Sequence, residues 1–216
     1  KSVADGLAQL TWQTRLCLEV DGHLIFAARH YPLRLRDLAS VKVGAVSGCD
    51  EIYASDEAGT RDFVCSATAK TGQTRRMIWP EGPTPPEALL PHKDRLINRR
   101  IKPFNESNWW QWGRGYPDTP APRVYVNGKT RQKKPFYVHE CTAFDGAVLA
   151  IFPLRPDIEV QALADALNAV DWNELGFYCD GRFLFTLRSL ENAPLPASFA
   201  PFAPEAVQAT LEDGAE

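Results

Sequence analysis

Paired cysteines are missing from this chain. The five present (Cys17, Cys49, Cys65, Cys141, Cys179) are odd in number, scattered, and include no Cys-x-x-Cys pair. That argues against a disulfide framework and a zinc site, and it fits a reducing cytoplasm. Histidine is scarce: His23, His30, His92 and His139 lie far apart, and none has metal-ligand spacing. No apolar run approaches the roughly 18 residues that a membrane helix needs, and no signal-peptide pattern opens the chain. No membrane is therefore expected as a partner.

The chemistry-bearing motifs are missing too. No glycine-rich loop stands between strand and helix to cradle a nucleotide phosphate or cofactor, and no Gly-x-Ser-x-Gly elbow occurs. His139-Glu140-Cys141 has the opening of a zinc-deaminase motif without its Pro-Cys-x-x-Cys partner, and reads as a strand-end histidine. A metal-dependent nuclease needs clustered carboxylates. Of the available Asp118, Asp145, Asp157 and Asp180, two precede a glycine as turn residues, and Asp157 reads as a helix N-terminal residue. No catalytic residue, metal ligand or cofactor site is assigned in this segment.

What is present is segregated. Residues 93–134 hold eleven Lys or Arg against Asp94, Glu106 and Asp118, a balance of +8. The whole chain is −3, so the rest sums to −11. At the middle of this strip sits Asn108-Trp109-Trp110-Gln111-Trp112-Gly113-Arg114, with three of the six tryptophans in four positions. A basic, aromatic strip on an acidic body is the pattern expected where a protein meets nucleic acid. The competing reading is a solvated basic loop beside a buried tryptophan cluster, and at least one indole is expected to be core. Double-stranded DNA is the expected partner. Phosphate contacts fall to Lys102, Lys129, Arg131, Lys133 and Lys134. Base contacts fall to Asn108, Gln111 and Arg114, because amides and guanidinium groups pair bidentately with adenine and guanine. Trp110 is either contact or core. The plain alternatives are a turn cap for Asn108, solvation for Gln111 and an Asp118 partner for Arg114.

With 216 residues, 44% hydrophobic and 24% charged, the chain can build a core as one large domain or two small ones. Residues 15–20 alternate, Asp21-Gly22 supplies a hairpin turn, and residues 23–26 return. Residues 41–46, 51–53, 62–65 and 75–79 read as further strands. Residues 80–86, with four prolines and a glycine, form a connector. A helix is expected from Pro86 towards Arg99, with Leu89, Leu90, Leu96 and Ile97 on its apolar side. Asn127-Gly128 predicts a hairpin pairing Val126 with Lys129 and Val124 with Arg131. Residues 135–139 and 147–152 are strands, the second nearly all apolar and central. Residues 157–170 place Leu163, Ala166, Leu167 and Val170 on one helical stripe. Asp180-Gly181 turns into an apolar strand, and residues 189–196 leave regular structure. The fold class expected is mixed α/β (α+β), rich in sheet with a few helices. Residues 1–80 form an N-terminal β-rich part and residues 81–202 carry the basic strip and a second α/β part; the two would join near residues 80–86. Residues 203–216 form an acidic, mobile tail.

Three stretches together resemble the target recognition domains of adenine-N6 DNA methyltransferases from bacterial restriction-modification systems, the type IIS and IIG kinds in particular. Val43-Gly44-Ala45-Val46-Ser47-Gly48-Cys49-Asp50-Glu51-Ile52-Tyr53 is similar to that family's Gly-x-x-Thr-Gly-x-Asn-x-x-Phe opening, with Ser47, Asp50 and Tyr53 substituting. Leu96-Ile97-Asn98-Arg99-Arg100 followed by residues 108–114 resembles its helix-then-tryptophan region. Leu163-Ala164-Asp165-Ala166-Leu167-Asn168 and Arg188-Ser189-Leu190-Glu191-Asn192-Ala193-Pro194-Leu195-Pro196 resemble its closing segments. The match spans roughly residues 38 to 202. It implies the sequence-reading half of such an enzyme. A catalytic domain N-terminal in the same polypeptide would bind S-adenosylmethionine and carry an Asn/Asp-Pro-Pro-Tyr/Phe motif; Thr84-Pro85-Pro86-Glu87 is the nearest string here and lacks both ends. Because the chain opens on Lys1, a segment of a longer protein is expected. A free-standing DNA reader, as in phage defence, and a metal-dependent nuclease fragment are the other two classes.

Overall fold

A computed structural model describes residues 15–20, 23–27 and 29–213. Strands β1 (Leu16–Val20) and β2 (His23–Ala27) pair antiparallel with Val20 opposite His23. The expected turn residues Asp21 and Gly22 lie outside the described residues. β3 (Leu33–Arg34) passes through a short 3-10 helix into β4 (Ala39–Val43). An excursion follows: α1 (Asp50–Tyr53), β5 (Arg61–Phe63), α2 (Thr68–Thr71), β6 (Arg75–Met77) and α3 (Lys93–Ile97). The chain returns at β7 (Val124–Asn127), β8 (Lys129–Thr130), β9 (Phe136–Tyr137) and β10 (Val148–Pro153). Then come α4 (Val160–Asn168), the hairpin of β11 (Tyr178–Cys179) and β12 (Arg182–Leu184), α5 (Leu187–Glu191), β13 (Pro194–Leu195) and α6 (Glu205–Asp213). The fold is mixed α/β, with antiparallel sheets and short helices. No helix among the described residues is long and apolar enough to cross a membrane.

The central sheet is antiparallel in the order β4-β10-β7-β9. β10 is an uninterrupted apolar run because both its faces are covered. Leu149 and Ile151 face a core built with α4, Trp172, Phe185 and Leu195, whereas Val148 and Ala150 face a smaller cluster with Val64, Tyr125 and Phe144. β7 alternates in the same way, Val124 and Val126 to one side and Tyr125 to the other. The excursion between β4 and β7 makes its own core, in which Tyr53, Phe63, Met77, Leu89, Leu96 and the three clustered tryptophans pack together. Residues 80–86 run through the middle of that excursion, between Ile78 and Leu89 of one core, rather than between two cores.

Several elements differ from expectation. Residues 51–53 are helical: Ile52 and Tyr53 are both buried, which adjacent strand residues on a one-sided sheet cannot be. The helix expected from Pro86 is split into a 3-10 segment, Glu87–His92, and α3, because Pro91 brings no N–H. Leu89 and Leu96 are buried, but Leu90 is 51% exposed. Glu159, not Asp157, caps α4, accepting from the Gln161 and Ala162 N–H groups, while Asp157 pairs with Arg155. Residues 189–196, expected to be irregular, carry the end of α5 and β13, and α6 covers most of the segment expected as a mobile tail.

Candidate nucleic-acid interface

The tryptophan stretch folds inward. Trp109, Trp110 and Trp112 are 3%, 5% and 6% exposed. Trp112 stacks on Phe63 at 5.0 Å and donates its Nε1–H to the Ile78 carbonyl at 3.0 Å. Trp110 packs edge-on against Trp109, and its Nε1 has no partner among the described residues. Of the two roles open to Trp110, contact or core, its burial gives it the core and leaves no ring face for a base. Asn108 takes its alternative role, its Oδ1 accepting from the Asn105 N–H at 2.8 Å to close the turn. Gln111 is exposed, although its carbonyl is held by Arg99. Arg114 is exposed and donates to the Gly44 carbonyl at 3.3 Å. Asp118 pairs with Arg61 rather than with Arg114.

The basic strip divides into an inner and an outer set. Arg99 is 8% exposed and donates to four carbonyls: Leu96 at 2.7 Å, Trp109 at 2.6 Å, Gln111 at 2.8 Å, and Ser47. Its guanidinium also lies 3.9 Å over the Phe104 ring, and burial pulls its pKa down. Arg123, 3% exposed, donates to the carbonyls of Ala121, Thr142 and Thr119 and covers Phe152. Lys93 pairs with Glu106, and Arg95 with Glu51. Seven cations remain at or near the surface without an ion pair among the described residues: Arg100, Lys102, Arg114, Lys129, Arg131, Lys133 and Lys134.

Most of these gather at one end of the central sheet. The Gly44 N–H donates to the Val148 carbonyl and Asn127 stands opposite Val148, so β4 and β7 end where β10 begins. β9 starts there too, with Phe136 opposite Val126. Arg114 is bridged to Val46 just past β4, Lys129 and Arg131 follow β7, and Lys133 and Lys134 precede β9. Lys102 follows Ile101, whose side chain lies against Gly48 and Gly113 beyond the end of β4. Two glycines permit this convergence. A Cβ on Gly44 would fall 2.1 Å from the Asp145 carbonyl oxygen, and Gly48 combines a φ of +77° with contact to Ile101.

The expected β7–β8 hairpin does not form. β7 is flanked by β10 and β9, so both its edges are taken before β8 can pair. Asn127-Gly128 is instead a corner: Gly128 donates to the Ala147 carbonyl, accepts from the Phe185 N–H, and delivers β8 to β12. Lys129 and Arg131 then border a concavity of about 320 Å³ together with Lys70 and Arg182. Sequence reasoning missed these last two, since each lies far from the strip and only tertiary pairing brings them near.

Asp145 sits at this same sheet end. It is 3% exposed, and burial raises its pKa to about 6, opposed by the Ala147 N–H and Arg75 and reinforced by Asp50. Asp118, Asp157 and Asp180 each face an arginine instead of one another. Among the described residues no group of His, Cys, Asp or Glu gathers that could hold a metal ion, and the five cysteines are free thiols. His139 bridges the Gly72 carbonyl and the Cys141 N–H. No protein-family model matches this chain, and no curated protein matches it.

Proposed function

We propose that this chain is a DNA-recognition domain that meets duplex DNA at the end of its central sheet. The observation that carries the reading is the gathering there of exposed cations without carboxylate partners among the described residues: Arg114, Lys129, Arg131, Lys133 and Lys134. Exposed cations without a paired carboxylate keep their charge available for phosphates, and each phosphate neutralised releases condensed counterions. Gln111 and Arg114 are the exposed side chains suited to base edges, and Asn108 keeps its amide nitrogen for such a contact.

The resemblance carries the reading one step further. The chain would act as the target recognition domain of a cytoplasmic adenine-N6 DNA methyltransferase of a restriction-modification or phage-defence system. S-adenosylmethionine and the methyl transfer would belong to a catalytic domain N-terminal in the same polypeptide, which flips the adenine out of the duplex. The test is fluorescence anisotropy of a mixed-sequence duplex across a salt series. Affinity should fall with salt, with a log–log slope of about −0.9 per phosphate contact, and the double variant Lys129→Ala, Arg131→Ala should flatten that slope by up to about two. A wild-type protein that leaves the duplex unbound at low salt would overturn the reading.

A further inference from the structure

We infer that the concavity beside the Asn127–Gly128 corner is a phosphate-binding site, completed by Lys70 and Arg182, two cations from outside the basic strip. Its volume is about 320 Å³, and Lys70, Lys129, Arg131 and Arg182 all line it. They come from α2, from β8 with the residue that follows it, and from β12. The register explains why three of them converge. Lys129 stands opposite Leu184 and Thr130 opposite Phe183. Arg182 precedes Leu184 by two residues, so Lys129 and Arg182 lie on one face of the β11-β12-β8 sheet, and Arg131 follows directly where β8 ends. Lys70, on α2, supplies the facing wall.

That wall is fixed in place. Asn127 is 5% exposed; its Nδ2 donates to the Ser66 carbonyl at 2.8 Å and its Oδ1 accepts from the Tyr137 hydroxyl at 3.3 Å. One buried amide thus ties the turn before α2 to the end of β7. The site is formed before any ligand arrives, so little ordering cost is left for binding.

The lining selects for phosphate. No carboxylate is among the residues that line the concavity, and no aromatic ring is there to stack a base. Asp180, which pairs with Arg182 at 3.0 Å, is 84% exposed and holds the arginine only weakly. Four like charges brought together with only that one exposed carboxylate against them among the described residues repel one another in the ligand-free protein, and a bound anion removes that repulsion. Guanidinium forks beside ammonium groups suit phosphate oxygens. The phosphate source is the backbone of duplex DNA, a part of the inference that rests on the proposed function, and there the site would fix the register of the duplex without reading sequence.

The double variant Lys70→Ala, Arg182→Ala tests the site in the intact chain. The probes are a mixed-sequence duplex of about 20 base pairs over a salt series and inorganic pyrophosphate by calorimetry. The expected result is a salt slope flattened by up to about two, loss of pyrophosphate binding, and a thermal midpoint of the ligand-free variant no lower than that of the wild type. The last readout separates a ligand site from a structural role, which would lower the midpoint. Duplex binding by wild type with an unchanged slope in the variant would overturn the site and leave DNA recognition standing. Pyrophosphate binding that the variant loses, with no duplex bound by either protein, would uphold the site and reassign it to a small phosphate ester. Wild-type protein that binds neither probe would overturn both.

Discussion

Arg99 shows how a charge that looks available can be fully engaged. Its guanidinium meets four backbone carbonyls and, among the described residues, no carboxylate, so the cation ties residues 47, 96, 109 and 111 together. Truncation would strand these acceptors in a core that water enters poorly, and each buried unsatisfied group costs about 1–3 kcal/mol. Arg99→Ala should therefore lose at least about 3 kcal/mol in urea unfolding, whereas exposed Arg114→Ala should stay within about 0.5 kcal/mol. A loss below about 1 kcal/mol for Arg99→Ala would mean that water replaces the guanidinium at those carbonyls. The same contrast marks the limit of sequence reading at this scale. Charge counting places Arg99, Arg123, Lys129 and Arg131 in one strip, but composition carries no direction. Two of them turn inward to carbonyls, and one of those carbonyls, on Trp109, belongs to the buried tryptophan stretch.

At the scale of elements, what was legible depended on whether a segment's partner is local. The β1–β2 and β11–β12 hairpins join neighbours, and in the second the turn residues Asp180 and Gly181 both adopt positive φ, the geometry expected of an Asp-Gly pair. α4 was legible from its stripe, and β10 from its unbroken apolar run. The Asn127-Gly128 corner was not, because its outcome depends on β9 and β10 claiming both edges of β7. The end of β4 is a case in which a motif glycine has a stated reason. A methyl group on Gly44 would meet backbone atoms of Phe144 and Asp145, which cannot rotate aside. Gly44→Ala should cost about 1–3 kcal/mol by overpacking, read as a lowered thermal midpoint. Gly115→Ala, which faces open space, is the control and should be near neutral. Equal midpoints for the two variants would show that β4 can shift off the 144–145 segment without cost.

Across the whole molecule, the excursion core and the central sheet meet at Asp145. Its N–H donates to the Val64 carbonyl, it bridges Ala45, and Phe144 beside it packs against Tyr125. A carboxyl group held at such a junction makes the joint sensitive to acid in an unusual direction. Burial raises its folded pKa from 3.8 to about 6, so the folded state binds the proton more tightly than the unfolded chain. Stability from this group is then fully present below pH 3.8 and is lost as pH rises through about 6. Asp145→Asn keeps an oxygen for the Ala147 N–H and removes the ionisation. It should be more stable than wild type by about 2–3 kcal/mol at about pH 7.5, by about half that at about pH 5, and by little near pH 4. Paired urea melts across that range measure the gap directly. A gap that stays constant with pH would mean that the Asp145 carboxylate is solvated in the folded protein, and that the two cores meet around water at this point.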